Sequence, residues 1–314
     1  MKQYLLGIDI GGTNTAFGII QYDGTIECRF QFTTNEYSSF EALIQAVYKY
    51  LNTNCAKLFD RLAGVGIGAP MIHPATGIID KAANLVWQQP VRVKEITERI
   101  FRLPVQTNND ANIAVLGEWK FGKARGCRNV VMITLGTGVG GGLIVNDQLV
   151  VGHSGLAGEV GHMIYEPGGR ACNCGRKGCY ERYISATGIQ ETYLEIKGDY
   201  PSSVLVEWNK EGVVIDARKI YEAALLKDAL ALEVYRHTGE ILGMLLSNLV
   251  CCFSPEKIIL FGGVMYAGEI ILQPTLKYYK DTLLSNFVDT VSIEVSGIAH
   301  QDMGIIGAAA LLIE

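Results

Sequence analysis

The chain opens with short, β-branched apolar runs separated by glycine or polar punctuation. "YLLGIDIGGTNTAFGIIQYDGTI" (4–26) reads as strand, glycine-rich turn, strand, then an Asp23-Gly24 turn into a third strand. About 125 residues later "NVVMITLGTGVGGGLIVNDQLV" (129–150) repeats the layout, with Asn146-Asp147 as its second turn. Two copies of one hairpin design predict two similar α/β domains, each carrying a glycine-rich turn. Between the copies, Ser38–Asn54 has the apolar spacing of an amphipathic helix with a serine cap. "LAGVGIGAP" reads as a buried strand ending at Pro70, "VKEITERIF" as a helix and "LPVQTNND" as a short strand. "ANIAVLGEWKFG" reads as a helix stopped at Gly122.

Beyond residue 181 the pattern turns mostly helical, with 3.6-residue periodicity over Ala217–Leu226 and Ala229–Cys252. A buried strand "EKIILFGGV" reaches Gly262-Gly263, followed by the mostly helical 268–287, a strand at "VSIEVSGI" and a final apolar helix "GIIGAAALLIE". Alternating strands and helices predict α/β layers, and the early hairpins predict mixed rather than purely parallel sheets.

Composition narrows the partners. The 314 residues suit about two domains, and 49% apolar content is enough to bury a core. A net charge of −5 without a Lys/Arg cluster argues against nucleic acid or an anionic membrane. The longest apolar run, Ile241–Phe253, is too short to span a bilayer, and the N-terminus does not read as a signal peptide. The expected setting is the cytoplasm, where thiols stay reduced and clustered cysteines point to metal or catalysis.

Such a cluster is present. Cys172-x-Cys174-x4-Cys179 follows His162 by ten residues. Neither gap fits C-x-x-C redox chemistry. Three thiolates and an imidazole complete a tetrahedral Zn2+ shell, and a shell closed in this way is structural. Gly168, Gly169, Gly175 and Gly178 let the backbone turn so that the ligands converge.

Three glycine turns stand at strand ends: Gly11-Gly12-Thr13, Gly136-Thr137-Gly138 and Gly262-Gly263. Without Cβ atoms, their backbone N–H groups can approach phosphate oxygens, and Thr13 and Thr137 add hydroxyls. Gly136-x-Gly138-x-x-Gly141 formally matches the dinucleotide fingerprint, but it opens a strand instead of the required helix. No Walker A loop occurs. Three such turns together predict a nucleotide site. Where the strand at Leu103–Thr107 gives way to a helix, Asn108, Asn109 or Asp110 can cap that helix, and Asp110 can act as a base.

"GIDIGGTNTAFGII", "TNNDANIAVLGE", "LGTGVGGGLI", "GHSGLAGEVGH", "CNCGRKGCYE" and "ISATGI" together resemble the ROK family of sugar kinases, in its bacterial glucokinase branch. The resemblance covers most of the chain and is weakest over 191–217. It implies an actin-like, ribonuclease-H-related fold with two lobes closing over ATP–Mg2+ and a hexose, commonly as a homodimer. The expected division is a small lobe over 1–115, completed by a C-terminal helix at about 302–314, and a large lobe over 116–301 with the zinc loop.

By resemblance, Asp110 is the base that accepts the proton of the sugar hydroxyl, and Asn84, Asn109, Asp110, Glu159, His162 and Glu181 bind the sugar. Asp9, Gly11, Gly12, Thr13, Asn14, Gly136, Thr137, Gly138, Gly262 and Gly263 hold the nucleotide, with Asp9 helping to hold Mg2+. His162 would bind zinc through one ring nitrogen and a hydroxyl through the other. The zinc would fix Glu159 and Glu181, which flank its ligands. Where this family commonly has glycine after Ala69-Pro70, this chain has Met71.

The expected activity is ATP-dependent phosphorylation of a hexose, glucose first, at its 6-hydroxyl. The alternatives are kinases for fructose, allose, mannose or N-acetylmannosamine, with the donor open between ATP and polyphosphate. A sugar-sensing repressor needs an N-terminal DNA reader, and the phosphate-loop hairpin already begins by Leu5.

Overall fold

The structure is a computed structural model that describes residues 3–80, 82, 85–88 and 90–313. The chain divides into two compact units. The first comprises residues 1–127, 142–157 and 296–314, and the second residues 128–141 and 158–295.

In the first unit, β1 (Tyr4–Ile10), β2 (Asn14–Gln21) and β3 (Ile26–Thr33) lead into α1 (Phe40–Asn54) and the single-turn α2 (Ala56–Phe59). Next come β4 (Leu62–Gly68), the two-residue strands β5 (Ile72–His73), β6 (Ile78–Ile79) and β7 (Val91–Arg92), α3 (Val93–Phe101), β8 (Val105–Asn108) and α4 (Asp110–Phe121). The sheet order is β3-β2-β1-β4-β8, with β1 antiparallel to β2 and parallel to β4.

α1 begins where Ser39 accepts the Ala42 N–H at 3.2 Å, and it buries Leu43, Ile44, Val47 and Leu51. Each buried aliphatic side chain of this kind contributes about 1.5–3 kcal/mol. This core takes in residues of β1, β2, β4, α1 and α3. The three-stranded sheet β5-β6-β7 is not evident in the apolar pattern, because two-residue strands are too short to show alternation.

The second sheet runs β11-β10-β9-β12-β13, built from β9 (Val130–Leu135), β10 (Val139–Val145) and β11 (Gln148–Leu149). The division between units falls within β10. The helices of the second unit are α5 (Glu181–Ile184), α6 (Ala186–Ile196), α7 (Val204–Lys210), α8 (Ala217–Leu225), α9 (Ala229–Phe253) and α10 (Glu269–Thr282). β12 (Lys257–Phe261) lies parallel to both β9 and β13 (Ser292–Val295). The order of this sheet repeats that of the first, so the duplicated hairpin in the sequence corresponds to a duplicated α/β layer. Both sheets are mixed, as expected. Asn146 and Asp147 both have positive φ, 52° and 63°, the conformation a two-residue hairpin turn requires.

The last helix, α11 (His300–Ala310), returns to the first unit and lies on β1 and its neighbours through Ile305, Ile306 and Ala309. Three glycines in register across adjacent strands, Gly18, Gly7 and Gly66, clear the way for it. A Cβ on Gly7 would sit 2.0 Å from the Ile305 carbonyl oxygen, and one on Gly66 would sit 1.8 Å from that of Ala308. Among the described residues, no helix is long and apolar enough to cross a membrane.

Candidate functional site

The cysteine hairpin belongs to the second unit. His162 ends a short 3-10 turn, Val160–His162, that follows Glu159. The chain then folds back through two isolated bridges, Ile164↔Cys179 and Ala171↔Lys177. Gly175 closes a turn by donating to the Cys172 carbonyl at 3.0 Å. At Gly178, with φ of +80°, a Cβ would lie 1.7 Å from the Glu166 carbonyl oxygen, so this corner requires glycine. Arg170 ties the hairpin to the helices behind it. Its guanidinium donates to Glu195, to Thr192 and to the Arg182 and Gly188 carbonyls, and it stacks 4.4 Å above the Tyr183 ring.

The ligand atoms of His162, Cys172, Cys174 and Cys179 all lie within 4.8 Å of one another. Cys172 Sγ is 3.7 Å from His162 Nδ1, and Cys174 Sγ is 3.6 Å from Cys179 Sγ. A tetrahedron with Zn–S bonds of about 2.3 Å has edges of about 3.8 Å, so the donor set fits zinc in spacing and type. The backbone N–H of Arg176 lowers the Cys174 thiol to about 6, toward the thiolate a metal needs, while burial pushes Cys179 up to about 12.

The two ring nitrogens of His162 have different neighbours. Nδ1 faces the Cys172 thiol, and Nε2 lies 4.0 Å from Glu159 Oε2. Glu181 behaves differently from a solvated loop acid. Its Oε2 accepts the Val139 backbone N–H at 3.0 Å, and its Oε1 lies 3.9 Å from Cys172 Sγ. Glu181 and Val139 are 42 residues apart, and no local pattern signals the contact.

Val139 follows the Gly136-Thr137-Gly138 turn between β9 and β10. In that turn Gly136 N–H donates to the Gly138 carbonyl at 3.0 Å. A strand follows the turn, which rules out the dinucleotide fingerprint on structural grounds. At the end of β12, Gly262 has φ of +115°, and a Cβ there would lie 2.3 Å from the Leu135 carbonyl oxygen. Gly136 and Gly263 are different, because a Cβ on either meets no described heavy atom within 4 Å. Crowding by the protein therefore does not account for glycine at these two positions.

In the first unit, Asp9 lies near the end of β1, just before the Gly11–Asn14 turn, which Gly11 N–H closes onto the Asn14 carbonyl at 2.9 Å. Burial, and then the nearby charge of Asp110, raise the Asp9 carboxyl to about 7. Two carboxylates so placed form a local excess of negative charge that suits a divalent cation with oxygen ligands. The helix cap is settled as well. Asn109 accepts the Asn112 N–H at 2.7 Å, so capping falls to Asn109 and Asp110 becomes the first helical residue, exposed, with Oδ1 accepting the Ala111 N–H at 2.9 Å.

Asn84 lies outside the described residues. Trp87 is core: its indole donates to the Tyr37 carbonyl at 2.9 Å and its ring packs against Phe40. Met71 is exposed with φ of 54°, a left-handed conformation that favours glycine.

A model of the ROK family matches residues 5–314. The chain is 35% identical to a glucokinase of Halalkalibacterium halodurans, over 99% of this chain and 95% of that one. It is 33% identical to a glucokinase of Thermotoga maritima, over 100% and 98% of the two chains. Among solved structures, a ROK family glucokinase from Streptomyces griseus in complex with glucose and AMPPNP aligns with a TM-score of 0.80. It is 31% identical, with 98% of each chain covered.

Proposed function

The chain belongs to the ROK family, and from that premise we propose that it transfers the terminal phosphoryl group of ATP to the 6-hydroxyl of a hexose, glucose being the preferred acceptor. The observation that carries the reading is the division of labour at the start of α4. Asn109 caps the helix, which leaves the exposed Asp110 carboxylate available for chemistry.

In this reading Asp110 accepts a hydrogen bond from the sugar hydroxyl, orients its oxygen for in-line attack, and takes its proton late, since an ordinary carboxylate is a weak base. Glu159, His162 Nε2, Glu181 and Asn109 hold the remaining hydroxyls, each carboxylate or amide able to engage two. The backbone amides of the three glycine turns, other than those of Gly11 and Gly136 that close their own turns, receive the phosphates. Asp9 would hold the Mg2+ that accompanies ATP and neutralises phosphate charge. Zinc would be held by His162, Cys172, Cys174 and Cys179 and would supply cohesion to a hairpin with few apolar side chains. The proposed setting is the cytoplasm, where the thiols stay reduced.

Other hexoses differ from glucose by one epimeric hydroxyl or one N-acetyl group, and discrimination among them rests on hydrogen-bond placement. An ADP-release assay across glucose, mannose, fructose, allose, N-acetylglucosamine and N-acetylmannosamine tests the proposal. Glucose is expected to give the highest kcat/KM. ADP release with none of these sugars would overturn the kinase assignment, and a clear preference for another sugar would overturn the choice of glucose alone.

A further inference from the structure

Glu181 sits two residues past the last cysteine of the hairpin, yet its carboxylate reaches into the β9–β10 turn. Oε2 accepts the Val139 N–H, and a Cβ on Gly138 would lie 2.6 Å from that same oxygen. Glycine at 138 is thus explained by the carboxylate beside it. Five to six residues on, the same segment grips the other side of the turn. Ala186 N–H donates to the Gly136 carbonyl at 2.8 Å, and the Thr187 hydroxyl donates to the Thr137 carbonyl at 3.3 Å. Residues 181–187 therefore hold the turn at both ends, and this stretch begins where the metal hairpin stops.

We infer that Glu181 is a positioning residue for the nucleotide as well as a sugar contact. By fixing Val139 N–H it holds the Thr137 and Gly138 amides, in a turn that Gly136 N–H closes onto the Gly138 carbonyl, in the arrangement that receives nucleotide phosphates, so the hairpin governs nucleotide affinity in the absence of sugar. The inference rests on the proposed reading of that turn as a phosphate site. A hydrogen bond to a charged acceptor contributes enough that its loss is read as a change of tenfold or more.

The test is calorimetric titration of Mg·ADP into the sugar-free, zinc-loaded protein, with zinc content checked for each variant. Glu181→Ala is expected to weaken Mg·ADP by about tenfold or more. Glu181→Gln keeps an acceptor oxygen and is expected to stay within about threefold of the parent. Gly138→Ala pushes against the carboxylate and is expected to weaken Mg·ADP by itself, but to add little once Glu181 is alanine. Hydrogen exchange at the Val139 amide should accelerate in Glu181→Ala and stay slow in Glu181→Gln.

If the parent binds Mg·ADP and Glu181→Ala binds it equally well, the inference is overturned while the kinase reading stands. If the parent binds no Mg·ADP, the kinase reading fails and the inference falls with it. Should Glu181→Ala lose zinc, Gly138→Ala decides: unchanged affinity in that variant overturns the inference.

Discussion

A carboxylate buried beside a second carboxylate is held at a cost that a cation removes. Asp9 is in that position, with its carboxyl raised to about 7 by burial and then by Asp110. Because the folded pKa exceeds the ordinary 3.8, the protonated form is favoured on folding. That contribution is fully present below about pH 4 and is lost as pH rises through about 7. Asp9→Asn should therefore melt higher than the parent at pH 8 without Mg2+, and the difference should vanish near pH 4. Added Mg2+ should stabilise the parent at pH 8 and leave the variant unmoved. A variant that melts lower at pH 8 would contradict the burial argument. The same scale shows where reading the sequence stopped. The Asp9–Asp110 pair and the Glu181–Val139 contact join residues far apart in the chain, and no spacing rule reports such meetings. The choice among Asn108, Asn109 and Asp110 as helix cap also needed the hydrogen bond to Asn112 to decide it.

Whole elements were more legible, for a physical reason. The glycine turns and the Cys-His hairpin are built from neighbours in sequence, so their chemistry shows in local spacing. α3 and β8 lie where periodicity and turn residues place them, and β10 follows the glycine turn as a strand. The three two-residue strands between β4 and α3 were not legible, because their pairing is decided by tertiary neighbours. α11 reads in the sequence as an apolar helix, but the three glycines that receive it lie on three different strands. Their role makes a sharp prediction. Gly66→Ala places a Cβ 1.8 Å from the Ala308 carbonyl oxygen, a backbone atom that cannot step aside. The variant should lose about 3 kcal/mol or more in denaturant unfolding, and a loss below about 1 kcal/mol would show that α11 does not pack against the sheet as described. The hairpin has its own test. Metal analysis of the parent should find about one zinc per chain, and Cys174→Ser should lower it. A parent free of zinc after purification without chelators would remove the structural role given to the metal.

At the scale of the molecule, the two five-stranded sheets share one order, and the candidate site residues are divided between the two units. Asp9 and Asp110 belong to the first unit, and Glu159, His162 and Glu181 to the second. The proposed reaction assigns a proton acceptor and a cation ligand to the one, and hydroxyl contacts and a metal-stiffened hairpin to the other. The decisive measurement follows the phosphorus itself. Parent protein and Asp110→Asn are each incubated with glucose and Mg·ATP, the sugar phosphate is recorded by 31P NMR, and glucose affinity is measured by calorimetry on the same samples. The account predicts glucose 6-phosphate from the parent, roughly 10²- to 10⁴-fold slower formation by the variant, and glucose affinity nearly unchanged. No sugar phosphate from the parent, or equal rates from both proteins, would contradict it.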